Sequence, residues 1–234
     1  MDRTTAAAAI VAAGRRLGAR GLISAGEGNL SVRLDGSRIL ISPTGRRKDE
    51  LTADDLIVVR LDHEGVPDVA PPRSVSGLRP SSDLAIHLAV HAARPELGAV
   101  VHAHLPASMT LTLAGEVPDP AVLPETGVLL PRLPALSFGE MGSAELAARV
   151  ADALTAGPEP HATAVLLERH GAVAVGPDAA IAVDRLELIE VLCRTWRDAL
   201  LVRAARASLD AAGIVWSPTA PEAPRPPGAL MEEG

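Results

Sequence analysis

The chain has 234 residues, 47% hydrophobic and 22% charged, with a formal net charge of −7. That is enough to bury a real core as one large domain or two small ones, and the acidic balance removes any broad electrostatic attraction to nucleic acid or an anionic membrane. The single cysteine, Cys193, excludes an intrachain disulfide and fits a reducing, cytoplasmic compartment.

Thr4 to Arg20 reads as an amphipathic helix, capped by Thr4 or Thr5 and followed by Gly21. Its apolar run, Ala6 to Ala13, follows Asp2 and precedes Arg15-Arg16, which is not the pattern of a signal peptide. No run approaches the ~20 apolar residues needed to cross a bilayer. Asn29–Leu34 and Arg38–Ser42 read as strands around an Asp35-Gly36 hairpin turn. Leu56–Leu61 is a further strand, stopped by a turn around Glu64-Gly65. Ser81–Arg94 is helical and closed by Pro95, Ala99–His104 is a strand, and Ala107–Ala114 is a short helix. Prolines obscure Gly127–Leu136. Ser143 caps a helix reaching Ala156, and strands Ala162–Glu168 and Ala172–Val175 flank His170-Gly171. Asp178–Leu209 lacks Gly and Pro and is the longest helix. Five prolines in the last eighteen residues mark 217–234 as a mobile tail after a domain spanning 1–216. Mixed strands and helices without a dividing linker predict one α/β domain, its sheet covered by helices.

His102 and His104 stand two apart in a predicted strand, so both side chains leave one face with Cα atoms ~6.5–7 Å apart. Two such imidazoles can converge on one cation, and they can equally be unrelated histidines at the end of a core strand. His170, at a sharp turn beside Gly171, is the best-placed third ligand, although a polar turn residue would look the same. His87 and His91 share a helix face at i, i+4, but Leu88 stands where an HExxH motif needs glutamate, and a partly buried helix face explains them. Three short segments offer anion donors: Gly28-Asn29-Leu30-Ser31, Ser42-Pro43-Thr44-Gly45 and Pro80-Ser81-Ser82-Asp83. The last opens a helix, where free N–H groups favour phosphate, while capping and turn formation explain each segment taken alone. GEGNLS does not complete a dinucleotide fingerprint, because it ends in Ser31 and leads into a strand.

In chain order these segments, with Val101-His102-Ala103-His104, Leu123-Pro124-Glu125, Gly139…Gly142-Ser143 and Arg169-His170-Gly171, resemble the class II aldolase/adducin family from about residue 6 to 205. The resemblance implies a three-layer α/β/α sandwich on a mixed, largely antiparallel sheet, assembled as a homotetramer with active sites near subunit interfaces. It implies Zn2+, or another divalent metal such as Mn2+ or Co2+, on His102, His104 and His170. Gly28, Asn29, Thr44, Gly45, Ser81 and Ser82 would bind a substrate phosphate, and Asp83 would be the catalytic acid/base or a fourth metal ligand. The expected reaction is aldol cleavage of a phosphorylated ketose, or its formation from dihydroxyacetone phosphate and an aldehyde, through a metal-stabilised enediolate. Epimerisation, dehydration or decarboxylation could use the same site, and a non-catalytic, adducin-like binding domain is the alternative of another class. Two departures bear on the reaction. Fuculose-phosphate aldolases of the family carry glutamate where this chain has Asp83, whose carboxylate sits ~1.5 Å further back. The family's tyrosine proton donors have no counterpart, since the chain contains no tyrosine.

Overall fold

The structure is a computed structural model that describes residues 1–61 and 74–213. The turn expected around Glu64-Gly65 and the tail expected over 217–234 lie outside the described residues. The chain divides into two compact units, Met1–Trp196 and Arg197–Gly234. The first contains one seven-stranded sheet, built from β1 (Asn29–Arg33), β2 (Arg38–Ile41), β3 (Ile57–Arg60), β4 (Ala99–Ala103), β5 (Ala135–Leu136), β6 (Ala164–Leu167) and β7 (Gly171–Gly176). Their order is β3-β2-β1-β4-β7-β6-β5. Every adjacent pair is antiparallel except β5 with β6, so the sheet is mixed and largely antiparallel as expected.

Alternation along the strands decides what each face carries. Asn29 pairs with His102, Ser31 with Val100, and His102 with Val173, so these side chains share one face. On that face Val100, Val165, Val173 and Val175 form one core with Ile86, Val90, Leu146, Val150 and Leu154. The helices supplying those residues are α2 (Leu84–Ala93) and α5 (Ala144–Thr155). Each fully buried valine contributes ~1.5–3 kcal/mol by leaving water. The helix α1 (Arg3–Ala19) packs against β1 and β2, and Arg16 ties it to Asp184 at 2.6 Å and Glu187 at 2.7 Å. Those acids belong to α6 (Ala179–Ala211), which continues as the described part of the second unit. Between β4 and β5 lie α3 (Pro106–Leu113) and α4 (Pro124–Leu129). No helix among the described residues is long and apolar enough to cross a membrane.

Several boundaries differ from the expectation. Asp2, not Thr4 or Thr5, caps α1: its carboxylate accepts from the Thr5 N–H at 3.0 Å and the Thr5 hydroxyl at 2.6 Å. The helix expected from Ser81 starts at Leu84, because the Ser81 N–H is drawn to the Ser42 carbonyl and Pro80 bridges Pro43. The strand through His102 stops at Ala103, leaving His104 beyond the ladder. In the proline-rich stretch, α4 and the two-residue β5 replace an indistinct reading.

Candidate metal centre and pocket

β4 and β7 meet tightly at their ends. Gly171 has φ of +106°, and a Cβ there would lie 2.1 Å from the Ala103 carbonyl oxygen and 2.8 Å from the His104 Cα. Only glycine allows the turn before β7 to bring His170 against the end of β4. Gly171→Ala is therefore expected to destabilise the fold by about 3–5 kcal/mol through overpacking and backbone strain. A differential-scanning measurement should show a midpoint drop on the order of 10 °C; an unchanged midpoint would mean that the turn relaxes freely.

The result of this approach is a triangle of imidazoles. Ring centroids of His102, His104 and His170 lie 4.6–4.9 Å apart, and one nitrogen from each falls within 4.8 Å of the others. His102 has its Nδ1 3.0 Å from the Ala172 carbonyl, so Nδ1 carries the proton and Nε2 keeps a free lone pair. That Nε2 is buried and without a partner, as are both ring nitrogens of His170. His104 Nδ1 stands 3.6 Å from Glu27 Oε1, a carboxylate placed to orient the ring. Burial, first of all, lowers the pKa of all three imidazoles, and His102 falls well below the usual histidine value. Neutral imidazoles with converging free lone pairs are the donor set a borderline divalent cation requires. The residues fit a metal.

Beside the triangle opens a pocket of about 270 Å3, lined by Gly28, Asn29, Thr44, Ser81, Ser82, Asp83, His104 and His170 among others. The three anion-type segments thus converge from separate parts of the chain. Gly28 adopts φ of +69°, and a Cβ there would come within 2.9 Å of the His102 carbonyl oxygen. Gly45 does not line the pocket. It takes φ of +69° behind Thr44 and lies against Gly26. His102 lies beneath the pocket wall at 0% exposure. Asp83 occupies the N-cap position of α2 but makes no capping bond. Its Oδ2 instead accepts from Asn29 Nδ2 at 2.8 Å, and its buried Oδ1 has no partner. Asp83 is thus held by a residue distant in the chain and not by its own helix start.

The profile of the class II aldolase and adducin N-terminal domain family matches residues 8–197. The chain belongs to that family. Among its relatives, a 3-oxo-tetronate 4-phosphate decarboxylase of Haemophilus influenzae is 32% identical over 185 residues, covering 77% of this chain and 81% of the relative. A methylthioribulose-1-phosphate dehydratase of Acidiphilium cryptum is 34% identical over 194 residues, 78% and 85% of the two chains. The solved L-fuculose-1-phosphate aldolase of Thermus thermophilus superposes with a TM-score of 0.71 at 30% identity, covering 86% of this chain and 97% of that one. These members of the class II aldolase superfamily are enzymes, and their named reactions differ.

Four pocket residues of this class II aldolase/adducin family member escaped the sequence reading: Gly26, Glu27, Lys48 and Met141. Lys48 sits in the charged run Arg46-Arg47-Lys48-Asp49-Glu50, which looks like a solvated surface. Its side chain nevertheless folds inward to 1% exposure, donating to the Gly26 carbonyl at 2.7 Å and the Arg46 carbonyl at 2.6 Å. The close approach beside it, in which a Cβ on Gly14 of α1 would lie 2.1 Å from the Lys48 carbonyl oxygen, appears only once the fold is known.

Proposed function

We propose that this protein is a divalent-metal-dependent lyase that breaks the C–C bond between the α and β carbons of a small phosphorylated ketose, an aldolase in the first instance. The observation supporting this is the convergence, at one pocket, of three imidazoles, two of them with buried unpartnered ring nitrogens, and a buried carboxylate with one free oxygen. His102, His104 and His170 would hold Zn2+, with Mn2+ or Co2+ as substitutes. Once bound, the ion supplies Lewis acidity, polarising the substrate carbonyl and stabilising negative charge that develops beside it.

The remaining work falls to the chain. Thr44, Ser81 and Ser82 offer hydroxyls to the phosphate, and Gly28 and Gly45 supply backbone geometry that a side chain would obstruct or strain. Asn29 has a second N–H to spare. Lys48 adds the cation that this group otherwise lacks, with one of its three N–H bonds left for a ligand. In the cleavage direction the free Oδ1 of Asp83 takes the proton of the hydroxyl on the carbon to be released. That C–O becomes a carbonyl as the C–C bond breaks, the bonding pair moves toward the ketose carbonyl, and the proton returns to the carbon left behind. Asp83 ends as it began.

Burial pushes the Lys48 ammonium down from 10.5 to about 8. The cation is thus present below pH 8 and lost as pH rises through it. Calorimetric titration with inorganic phosphate should show binding roughly tenfold weaker at pH 9 than at pH 7. Lys48→Met should bind ~10-fold or more weakly at pH 7, the worth of a charge-assisted hydrogen bond, and lose the pH dependence. Unchanged binding in this variant would remove Lys48 from the phosphate site.

A second reading, decarboxylation of a 3-oxo acid phosphate, is supported by the similarity to the Haemophilus influenzae 3-oxo-tetronate 4-phosphate decarboxylase. Loss of CO2 requires no base for a departing hydroxyl; the enolate that remains takes one proton at carbon, which Asp83 would relay from water. Zn2+-loaded protein should therefore be offered dihydroxyacetone phosphate with a panel of short aldehydes, and separately 3-oxo-tetronate 4-phosphate. Ketose phosphates from the first arm support the aldolase, and CO2 from the second alone transfers the assignment. If neither forms and the purified protein holds no divalent metal, the lyase reading fails and a non-catalytic binding domain takes its place.

The reading includes a homo-oligomer, a tetramer with pockets near subunit interfaces. Supporting it, Leu113, Val128, Phe138 and Met141 are between 54% and 77% exposed, and Met141 also lines the pocket. Light scattering of the purified protein should give four chains per particle; a monomer at micromolar concentration would overturn the assembly.

A further inference from the structure

The i, i+4 histidines of α2 take no part in the imidazole triangle, yet His87 and His91 are 0% and 1% exposed. Every one of their ring nitrogens is engaged. Asn29 Oδ1 lies 2.6 Å from His87 Nε2, and His87 Nδ1 lies 2.7 Å from Ser31 Oγ. The same hydroxyl is 2.9 Å from His91 Nε2, and His91 Nδ1 is 3.3 Å from an Arg33 guanidinium nitrogen. That guanidinium is anchored on the backbone carbonyls of His91 and Leu97. Asn29, Ser31 and Arg33 alternate along β1 and face α2, so period two on the strand meets period four on the helix. The outcome is one file of side chains, half-buried at Arg33 and buried from His91 to Asp83.

Only one placement of protons satisfies the file. Arginine can only donate, so His91 Nδ1 accepts and His91 Nε2–H donates to Ser31. The single hydroxyl proton of Ser31 then goes to His87 Nδ1, and His87 Nε2–H donates to Asn29 Oδ1. Asn29 is left with its amide N–H toward Asp83 Oδ2, at the 2.8 Å observed. Turning any member round would set two acceptors or two donors face to face in a dry interior, at a cost of ~1–3 kcal/mol for each group left unsatisfied. Burial agrees, holding His91 neutral and pushing His87 down to about 4.

We propose that Arg33, His91, Ser31 and His87 are positioning residues whose one-way chain of hydrogen bonds fixes the Asn29 amide against Asp83 Oδ2 and so leaves Oδ1 as the only carboxylate oxygen free to exchange a proton. The polarity of the chain stands on these distances. Its catalytic meaning rests on the reading of Asp83 given above.

Two measurements on the full-length, Zn2+-loaded protein test it. Long-range 1H–15N correlation of histidine-labelled protein, with His87→Gln and His91→Gln used for assignment, should show both imidazoles neutral and Nε2-protonated from pH 5.5 to 8. An Nδ1-protonated or doubly protonated ring at either position would overturn the chain. In turnover assays His87→Met, which fills the space but cannot donate, should lose ~10–100-fold in kcat with KM within about twofold. His87→Gln, whose amide N–H can reach Asn29 Oδ1, should recover most of that loss. Equal rates in the wild type and the Met variant, or equal losses in the Met and Gln variants, would overturn the positioning role. Should His87→Met fail to fold, Ser31→Ala removes one hydroxyl at almost constant volume and should lower kcat at unchanged KM; no change in kcat would overturn the role. A wild-type rate in Asp83→Asn would overturn the reading of Asp83 and the catalytic role of the chain with it, whereas the tautomers stand or fall on the spectrum alone.

Discussion

Asp83→Asn is expected to lower kcat by ~10²–10⁴-fold, the range that a positioned proton-transfer group supplies. Asparagine keeps the shape of the side chain and can still accept from Asn29 Nδ2 through its oxygen. The atom at Oδ1 becomes an amide nitrogen, which donates and cannot accept a proton. The substitution therefore removes chemistry with little change in packing, and the metal content of the variant should match the wild type. Metal analysis and steady-state kinetics on the same preparation check both halves. Turnover within twofold of the wild type would exclude Asp83 as the base, and loss of metal with turnover would reassign its carboxylate to the ion.

His102→Ala should have the opposite signature, with metal lost first and turnover lost as a consequence. Structural zinc sites bind with ~10–16 kcal/mol in total, so one ligand of such a set is worth roughly 2.5–4 kcal/mol and its loss ~10²–10³-fold in affinity. The variant also leaves a cavity where a fully buried ring stood between β1 and β7. Competition with a chromophoric chelator would measure the affinity, and a thermal scan would separate that effect from unfolding. An affinity within threefold of the wild type would show that the triangle is a histidine cluster and not a metal site.

Much of the architecture was legible because it rests on local chemistry. Asp35-Gly36 makes the hairpin between β1 and β2, Ser143 caps α5 through the Leu146 N–H, and Gly171 makes the turn that presents His170. What escaped depends on partners distant in the chain. Asp83 looks like an ordinary helix cap until Asn29, 54 residues earlier, claims its carboxylate. His87 and His91 were expected on a partly buried face and are fully buried, because Ser31 on β1 supplies a hydroxyl that both can use. Lys48 hides within a charged run, and two-residue β5 is too short for a periodicity to exist. The imidazole triad was visible as residue types in family order; the free lone pair of His102 could be seen only once the Ala172 carbonyl had taken the other ring nitrogen.

The strand order places β4 fourth of seven, with β1 on one side and β7 on the other. Asn29, His102 and the turn holding His170 thus belong to the three innermost strands, the part of a sheet whose amides exchange only when the whole domain opens. Such a centre has no private unfolding route. An ion or substrate held there would have to come and go through the pocket mouth while the frame stays shut, so the time that either stays bound would be governed by chemistry at the mouth and not by breathing of the sheet. Adaptation to a new substrate would then fall to the segments around that opening, with the innermost strands left as they are.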